Sequence, residues 1–379
     1  MMRFSELKLS QPIMQALEKL EYVQPTPIQV QAIPLVLEGR DLFGCAQTGT
    51  GKTAAFALPI LQMLSTQTPK PGPRRIQALI LAPTRELAAQ IGDNISAYRE
   101  YLSVRHVTVF GGVGQKPQVK ALQQGTDILV ATPGRLLDLI QQGFVTLEYI
   151  RYFVLDEADR MLDMGFIQDI RKVILKLPKE RQTLFFSATA SPPIQKLAAT
   201  LLKNPAKISV DPVSSATELV TQKVYFVDKD HKRTLLKQIL EVEKIDRALV
   251  FTRTKRGADR VSKELKKSGL LAEAIHGDKS QIARVKALDA FKNRKIRVLV
   301  ATDVASRGID VDQLSHVINY EIPEVAETYV HRIGRAGRAG ATGVAISMVH
   351  PEELTYWRNI EKLLGRKIPI GEKIGSQSR

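Results

Sequence analysis

The sequence predicts an α/β protein made of two tandem, doubly wound parallel-sheet domains joined by a short linker. Three observations carry this. The chain has 379 residues, more than one core of ordinary size holds, since domains run to roughly 150 residues. Short segments rich in Val, Ile, Leu and Phe recur along it, each followed by a longer stretch with helical spacing. Those segments are apolar nearly throughout rather than alternating, as strands covered on both faces must be.

In the first half the expected strands are Asp41 to Ala46, Ala78 to Ala82, His106 to Phe110, Asp127 to Ala131, Tyr152 to Leu155 and Thr183 to Ser187. The second half repeats the theme with Val224 to Val227, Ala248 to Thr252, Ala272 to Ile275, Arg297 to Ala301, His316 to Tyr320 and Val344 to Met348. Leu129-Val130-Ala131-Thr132 and Leu299-Val300-Ala301-Thr302 are a short internal echo of one half in the other. Between the halves lie Pro205, Pro212 and the small polar run Ser214-Ser215-Ala216-Thr217. This places the first domain at residues 1–208, the linker at 209–218 and the second domain at 219–379. The ending IGEKIGSQSR reads as an undocked polar tail.

Hydrophobic residues make up 44% and charged residues 25%, which excludes the disordered, collagenous and disulfide-stapled classes. Cys45 is the single cysteine, so no intramolecular disulfide or cysteine cluster forms, and its simplest role is that of a small buried hydrophobe. The N-terminal stretch lacks the apolar run of a signal peptide, and nowhere do about 18 apolar residues run uninterrupted. The expectation is a cytoplasmic protein with no membrane partner. The formal charge of +16 calls for a polyanion. The excess of cations is shared by both halves rather than gathered in a terminal arm, which fits a polyanion lying across two domains.

Ala46-Gln47-Thr48-Gly49-Thr50-Gly51-Lys52-Thr53 follows a strand and opens a helical stretch, the context of a phosphate-binding loop. Thr48, Gly49, Thr50 and Gly51 would turn backbone amides onto phosphate oxygens, and the helix start adds positive dipole. Lys52 would reach the outer phosphates, and the Thr53 hydroxyl would sit on Mg2+. Ala46 stands where the generic pattern has its first glycine.

Asp156-Glu157-Ala158-Asp159 follows the strand Tyr152 to Leu155, which puts carboxylates at the carboxyl edge of a buried sheet, where ligands of such folds bind. Taken alone the tetrapeptide reads equally as a solvated helix start. Beside the phosphate loop, Asp156 is suited to holding Mg2+ and Glu157 to orienting or deprotonating the attacking water. In His331-Arg332-Ile333-Gly334-Arg335-Ala336-Gly337-Arg338, arginines recur every three residues with glycines between. Planar donors so spaced suit a pentavalent phosphate, with Arg335 and Arg338 as arginine fingers; a basic solvated helix face is the alternative.

In order, these segments and others make up one set: Pro25-Thr26-Pro27-Ile28-Gln29, the AQTGTGKT loop, Pro83-Thr84-Arg85-Glu86-Leu87-Ala88, Gly111-Gly112, Thr132-Pro133-Gly134-Arg135, DEAD, Ser187-Ala188-Thr189, Val250-Phe251-Thr252-Arg253-Thr254, Gly277-Asp278 with Gln281 and Arg284, Ala301 to Asp310, and HRIGRAGR. Over nearly the whole chain the set resembles the DEAD-box family of ATP-dependent RNA helicases, in a bacterial, RhlE-like flavour. That family has two RecA-like domains, and Ala46 is its usual residue. The resemblance implies that Gln29 reads the adenine edge, that Tyr22 stacks near it, and that Phe4 is the isolated upstream aromatic of the same motif. The family usually has Gly-Phe where this chain has Glu21-Tyr22.

For RNA the resemblance points to Arg85, Gly111, Gly112, Thr132, Gly134 and Arg135 in the first domain and to Arg284 and Thr302 in the second. Glycine and threonine turns let backbone approach phosphates, and arginine supplies charge without reading bases, so binding would be sequence-independent. Ser187, Thr189 and Asp159 would couple the nucleotide site to the opposite domain. Asp310 would bind the ribose, and His331 would bridge toward Asp156. The implied activity is hydrolysis of ATP on RNA binding, with Mg2+, locally separating short RNA duplexes or remodelling RNA–protein complexes, with ribosomal or RNA-decay complexes as candidate partners. The implied cycle closes a cleft between the domains. Two rivals remain at this level: a DNA-directed ATPase of the same two-domain group, against which the PTPIQ and DEAD strings argue, and an ATP-gated RNA clamp with little turnover, against which Glu157 and the two arginines argue.

Overall fold

The computed structural model describes residues 2–46, 49–66, 74–210, 220–243, 245–303, 314–336 and 343–372. Internal contacts divide the chain into two units, Met1–Asp211 and Pro212–Arg379. The first unit carries β1 (Leu42–Cys45), β2 (Ala78–Leu81), β3 (His106–Val109), β4 (Ile128–Ala131), β5 (Tyr152–Leu155), β6 (Gln182–Ser187) and β7 (Ala206–Ser209). Its sheet runs β3-β4-β2-β5-β6-β1-β7, and its ladders are parallel.

The second unit carries β8 (Val220–Phe226), β9 (Ala248–Thr252), β10 (Ala272–Ile275), β11 (Val298–Thr302), β12 (His316–Asn319) and β13 (Gly343–Val349). They form a parallel sheet in the order β10-β11-β9-β12-β13-β8.

Both faces of each sheet are covered, which is why its strands read as unbroken apolar runs. In the first unit Ile80, Val130, Val154 and Leu184 point to one face and pack with Phe56 and Ile91. Their neighbours Leu79, Leu129, Phe153 and Phe185 point to the other and pack with Leu136 and Met161. Burying each such side chain contributes about 1.5–3 kcal/mol against its exposed state. The second unit divides in the same way, with Leu249 and Leu299 on one face and Val250 and Val300 on the other.

The carboxyl ends of the strands lead straight into helix caps. Thr84 Oγ1 accepts from Leu87 N at 3.3 Å, and Thr254 Oγ1 accepts from Gly257 N at 3.0 Å. Ser280 Oγ accepts from Ala283 N at 3.2 Å. Each cap contributes about 1 kcal/mol, and together they fix where the chain turns at the edge on which the site residues sit.

Two expectations change. β7 is a seventh strand that apolar runs did not announce: Ala206 and Ile208 are buried while Lys207 and Ser209 are exposed. An edge strand covered on one face alternates instead of running apolar. Ser209 therefore closes this strand, where the linker had been expected to begin, and residues 211–218 lie outside the described ones. The ending is also not wholly undocked, because Val224 N donates to Pro369 O and Gly371 N donates to Val224 O, both at 2.9 Å. Edge strand β8 has an open ladder side, and this short segment satisfies part of it.

Candidate functional site

Five strand ends of the first unit, those of β1, β2, β4, β5 and β6, converge on one edge. Beyond the regular ladders, Ala46 N donates to Ser187 O, Ala82 N to Ala131 O, and Asp156 N to Leu81 O, at 2.9–3.0 Å. The phosphate loop, the acidic segment and the Ser187 segment are thereby held side by side. Gly49 and Gly51 have φ of 86° and 90°, left-handed values that cost a side chain free energy and glycine none. Lys52 opens the helix Lys52–Ser65 and is buried. Its Nζ donates to Ala46 O at 2.9 Å and stands 3.8 Å from Asp156 Oδ1. Thr53, half-buried, follows it on the same helical turn.

The three carboxylates that follow β5 take three different partners. Asp156 faces Lys52; its carboxyl is pushed up to about 6, because burial disfavours its charged form, with Lys52 opposing and Glu157 adding to the rise. Glu157 has φ 52° and ψ 52° and is salt-bridged to Arg160, whose Nη1 donates to Glu157 Oε2 at 2.7 Å. Asp159 Oδ2 accepts from Ala188 N at 3.2 Å, which ties the acidic segment to the Ser187-Ala188-Thr189 segment. Ser187 is fully buried, and its Oγ accepts from Thr189 N at 3.3 Å.

The Gln29 segment meets the same loop. Gln29 is buried, with Oε1 accepting from Thr26 N at 2.9 Å and Nε2 donating to Gly51 O at 3.1 Å. Thr26 is the N-cap of the helix Pro27–Leu37, its side chain facing the Gln29 backbone in a reciprocal capping box. Tyr22 is 40% exposed, so its ring has a face to offer. Phe4 is 2% exposed and does not. It lies under Tyr22 with ring centroids 6.3 Å apart, where it supports the Tyr22 ring.

The expected RNA-contacting residues of the first unit gather around the turn after β3. Arg85 lies over the Gly111-Gly112 backbone, so closely that a Cβ on Gly112 would collide with its guanidinium. Arg135 donates to Val113 O at 3.3 Å and to Gln118 Oε1 at 3.2 Å. Gln118 also brackets Phe110, accepting from its N and donating to its O. Thr132 stands at the N-cap position of the helix Pro133–Gln141, where Gly134 has open space around it.

In the second unit Thr302 ends β11 beside Thr252 of β9, and Arg284 lies half-buried in the first turns of the helix Gln281–Lys292. His331 lies in the helix Ala326–Ile333, with Arg335 buried just after it. Arg332 is committed to structure: it grips Asp303 through two bonds of 2.6 and 2.8 Å and donates to Asn319 and to Glu321 O. Thr48, Asp310 and Arg338 lie outside the described residues.

Comparison with known proteins agrees with this assembly. Residues 26–197 match the family model described as DEAD/DEAH box helicase, and residues 231–340 match the helicase conserved C-terminal domain. A Limosilactobacillus reuteri protein named ATP-dependent RNA helicase CshA is 45% identical over 371 residues, 97% of this chain and 73% of that protein. The chain belongs to the DEAD/DEAH box helicase family. ATP-dependent RNA helicase RhlB of Pseudomonas putida is 46% identical over 372 residues, 97% of this DEAD-box chain and 93% of its own. S. cerevisiae Dbp5 bound to RNA and ADP BeF3 superposes on this chain with a TM-score of 0.86 at 31% identity, covering 97% and 95% of the two chains.

The departure at Glu21 has a structural reading. Glu21 has φ 59°, a left-handed conformation that glycine takes without cost and glutamate pays roughly 1–2 kcal/mol to hold. The turn that presents Tyr22 is thus kept, with some strain. Gln118 and Arg160 escaped the sequence reading. Gln118 lies in a polar helix with no pattern to single it out, whereas the Glu157-to-Arg160 spacing of three residues was a signal available on any helical turn.

Proposed function

We propose that this DEAD-box protein is an RNA-dependent ATPase that couples hydrolysis of ATP to ADP and phosphate to local separation of short RNA duplexes or remodelling of RNA–protein complexes. The observation that carries the reading is the buried Lys52–Asp156 pair at 3.8 Å, held where the phosphate loop and the acidic segment leave neighbouring parts of one sheet edge. Lys52 and the loop amides hold phosphate oxygens there, and Glu157 orients the attacking water. Arg335 and Arg338 are the residues assigned to supply charge to the transferring phosphoryl group. Gln29 and Tyr22 take the adenine, Asp310 the ribose, and His331 acts with the acidic segment.

Mg2+ fits the donor set, since Asp156 is a buried hard-oxygen ligand whose charged form wants a cation and Thr53 adds a hydroxyl from the adjoining helix. When bound, the ion neutralises phosphate charge. Removal of divalent cations with EDTA should abolish turnover.

RNA lies along Arg85, Gly111, Gly112, Thr132, Gly134, Arg135, Arg284 and Thr302 through its backbone, and Ser187, Thr189 and Asp159 couple that contact to the nucleotide. The reading carries a cytoplasmic location; no helix of the described residues is long and apolar enough to cross a membrane.

The deciding experiment measures ATPase rate without nucleic acid, with single-stranded RNA and with DNA of matched sequence. RNA should raise the rate at least tenfold and DNA should not. Equal stimulation by DNA would favour a DNA-directed ATPase, and tight ATP-dependent RNA binding with negligible phosphate release would favour a clamp. RNA affinity should fall linearly on a log–log salt plot.

A further inference from the structure

Glu157 and Arg160 form a buried ion pair, with side chains 6% and 4% exposed. Burying two charges costs several kcal/mol per ion, and apolar residues of similar volume usually serve stability as well or better. The pair therefore asks for a reason other than folding. Glu157 also holds a left-handed backbone, φ 52° and ψ 52°, a conformation that persists only where the surroundings over-determine it and that gathers at functional sites. Asp156, one residue earlier, faces Lys52, and Asp159, two residues later, accepts from Ala188 N. The kink at Glu157 thus separates its carboxylate from that of its neighbour and delivers it to the guanidinium three residues on, at 2.7 Å.

We propose that Arg160 is a positioning residue for Glu157, holding its carboxylate in the place from which it orients the water that attacks ATP. This rests on the role given to Glu157 above. Arg160 acts through Glu157, to which its Nη1 donates. A planar guanidinium fixes a carboxylate in distance and direction, where a flexible partner fixes distance alone, and a misplacement of about 1 Å in such a group costs on the order of 10²-fold in rate.

The test compares wild type, Arg160→Gln, Arg160→Lys, Glu157→Gln and the double variant Glu157→Gln/Arg160→Gln. Each full chain is assayed for kcat and KM of ATP at saturating single-stranded RNA. ADP affinity and thermal midpoint check that each variant is folded. Arg160→Gln should lower kcat by about 10- to 100-fold with KM and ADP affinity within about twofold. Arg160→Lys should recover part of the loss. The double variant should be no slower than Glu157→Gln alone, because the two residues act as one unit.

The proposal is overturned if Arg160→Gln keeps wild-type kcat, or if its loss simply adds to that of Glu157→Gln. Should Arg160→Gln fail to fold, Arg160→Lys decides: a lower kcat at unchanged KM supports positioning, and an unchanged kcat leaves Arg160 a structural staple and sinks the proposal. Normal turnover in Glu157→Gln would instead remove the role of Glu157 on which everything here stands. A silent Arg160→Gln beside an inactive Glu157→Gln removes only the present inference.

Discussion

The side-chain amide of Gln29 donates to the carbonyl of Gly51 at 3.1 Å while its oxygen accepts from Thr26 N. One amide thereby joins the segment expected to read adenine to the loop expected to hold phosphate. A Cβ on Gly51 would collide with that amide and come within 2.9 Å of Thr26 Oγ1. Gln29→Ala removes both bonds, each worth about 0.5–1.5 kcal/mol net. The KM for ATP should rise roughly tenfold, matching about 1.4 kcal/mol, with RNA affinity in the absence of nucleotide unchanged. Steady-state ATPase and RNA filter binding check both halves of the statement.

Gly112 has φ 74° and carries the Arg85 guanidinium directly above it. Gly112→Ala strains the turn and displaces Arg85 together, two effects that both act on the proposed RNA surface and not on the phosphate loop. The RNA concentration giving half-maximal ATPase should rise by about tenfold or more, on the order of the 1–3 kcal/mol attached to such backbone strain. Nucleotide affinity measured by ADP titration should stay within twofold. A parallel loss of ADP binding would show that the turn supports the whole unit rather than an RNA contact.

His106 accepts from Arg99 Nε at 3.1 Å through Nδ1, and its imidazole is pushed down to about 4, chiefly by burial and then by the Arg99 charge. The folded protein therefore keeps His106 neutral where the unfolded chain, with an ordinary pKa near 6.5, takes up a proton. Its contribution is fully present above about pH 6.5 and is lost progressively as pH falls toward 4. The thermal midpoint of wild type minus that of His106→Gln should decline across this window and be flat from pH 7 to 8. A constant difference across the whole range would refute the assignment.

Lys232 is buried, donating to Tyr320 O, Met348 O and Glu353 Oε2 at 2.6–2.8 Å. Burial pushes its pKa down, with Glu353 opposing. Glu353 in turn accepts from Ile322 N at 3.0 Å and lies 3.5 Å from Arg253 Nη2, so one pair organises several strand ends of the second unit. Lys232→Met strands two carbonyls and a buried carboxylate and should cost about 3–5 kcal/mol, read as a lower urea midpoint for the second unit. Adding Glu353→Leu should recover part of it. A midpoint unmoved by Lys232→Met would mean that the network relaxes without it.

The sheets were legible because their information is local. Each strand buried on both faces announces itself as an apolar run, and each phosphate or acidic motif sits at the end of such a run, as Lys52 does after β1 and Asp156 after β5. β7 escaped because an edge strand covered on one face shows alternation in only four residues. The burial of Phe4 was not legible, because a motif string reports that an aromatic ring is there and not whether it is covered. Gln118 and the structural role of Arg332 were hidden for a different reason: their partners, Phe110 and Arg135 for one, Asp303 and Asn319 for the other, lie on other elements and meet them only in the folded chain.

By itself, then, the order of residues determined two parallel sheets, the loop and acidic segments at their carboxyl edges, and the family. These follow from periodicity, glycine placement and short strings, all of which act over a few bonds. The tertiary structure decided which polar partner each side chain meets: Lys52 with Asp156, Glu157 with Arg160, Asp159 with Ala188 N, Gln29 with Gly51 O. Electrostatic and hydrogen-bond partners are chosen by distances of a few ångströms between strand ends, and those distances exist only once β1 has been placed between β6 and β7, and β5 between β2 and β6.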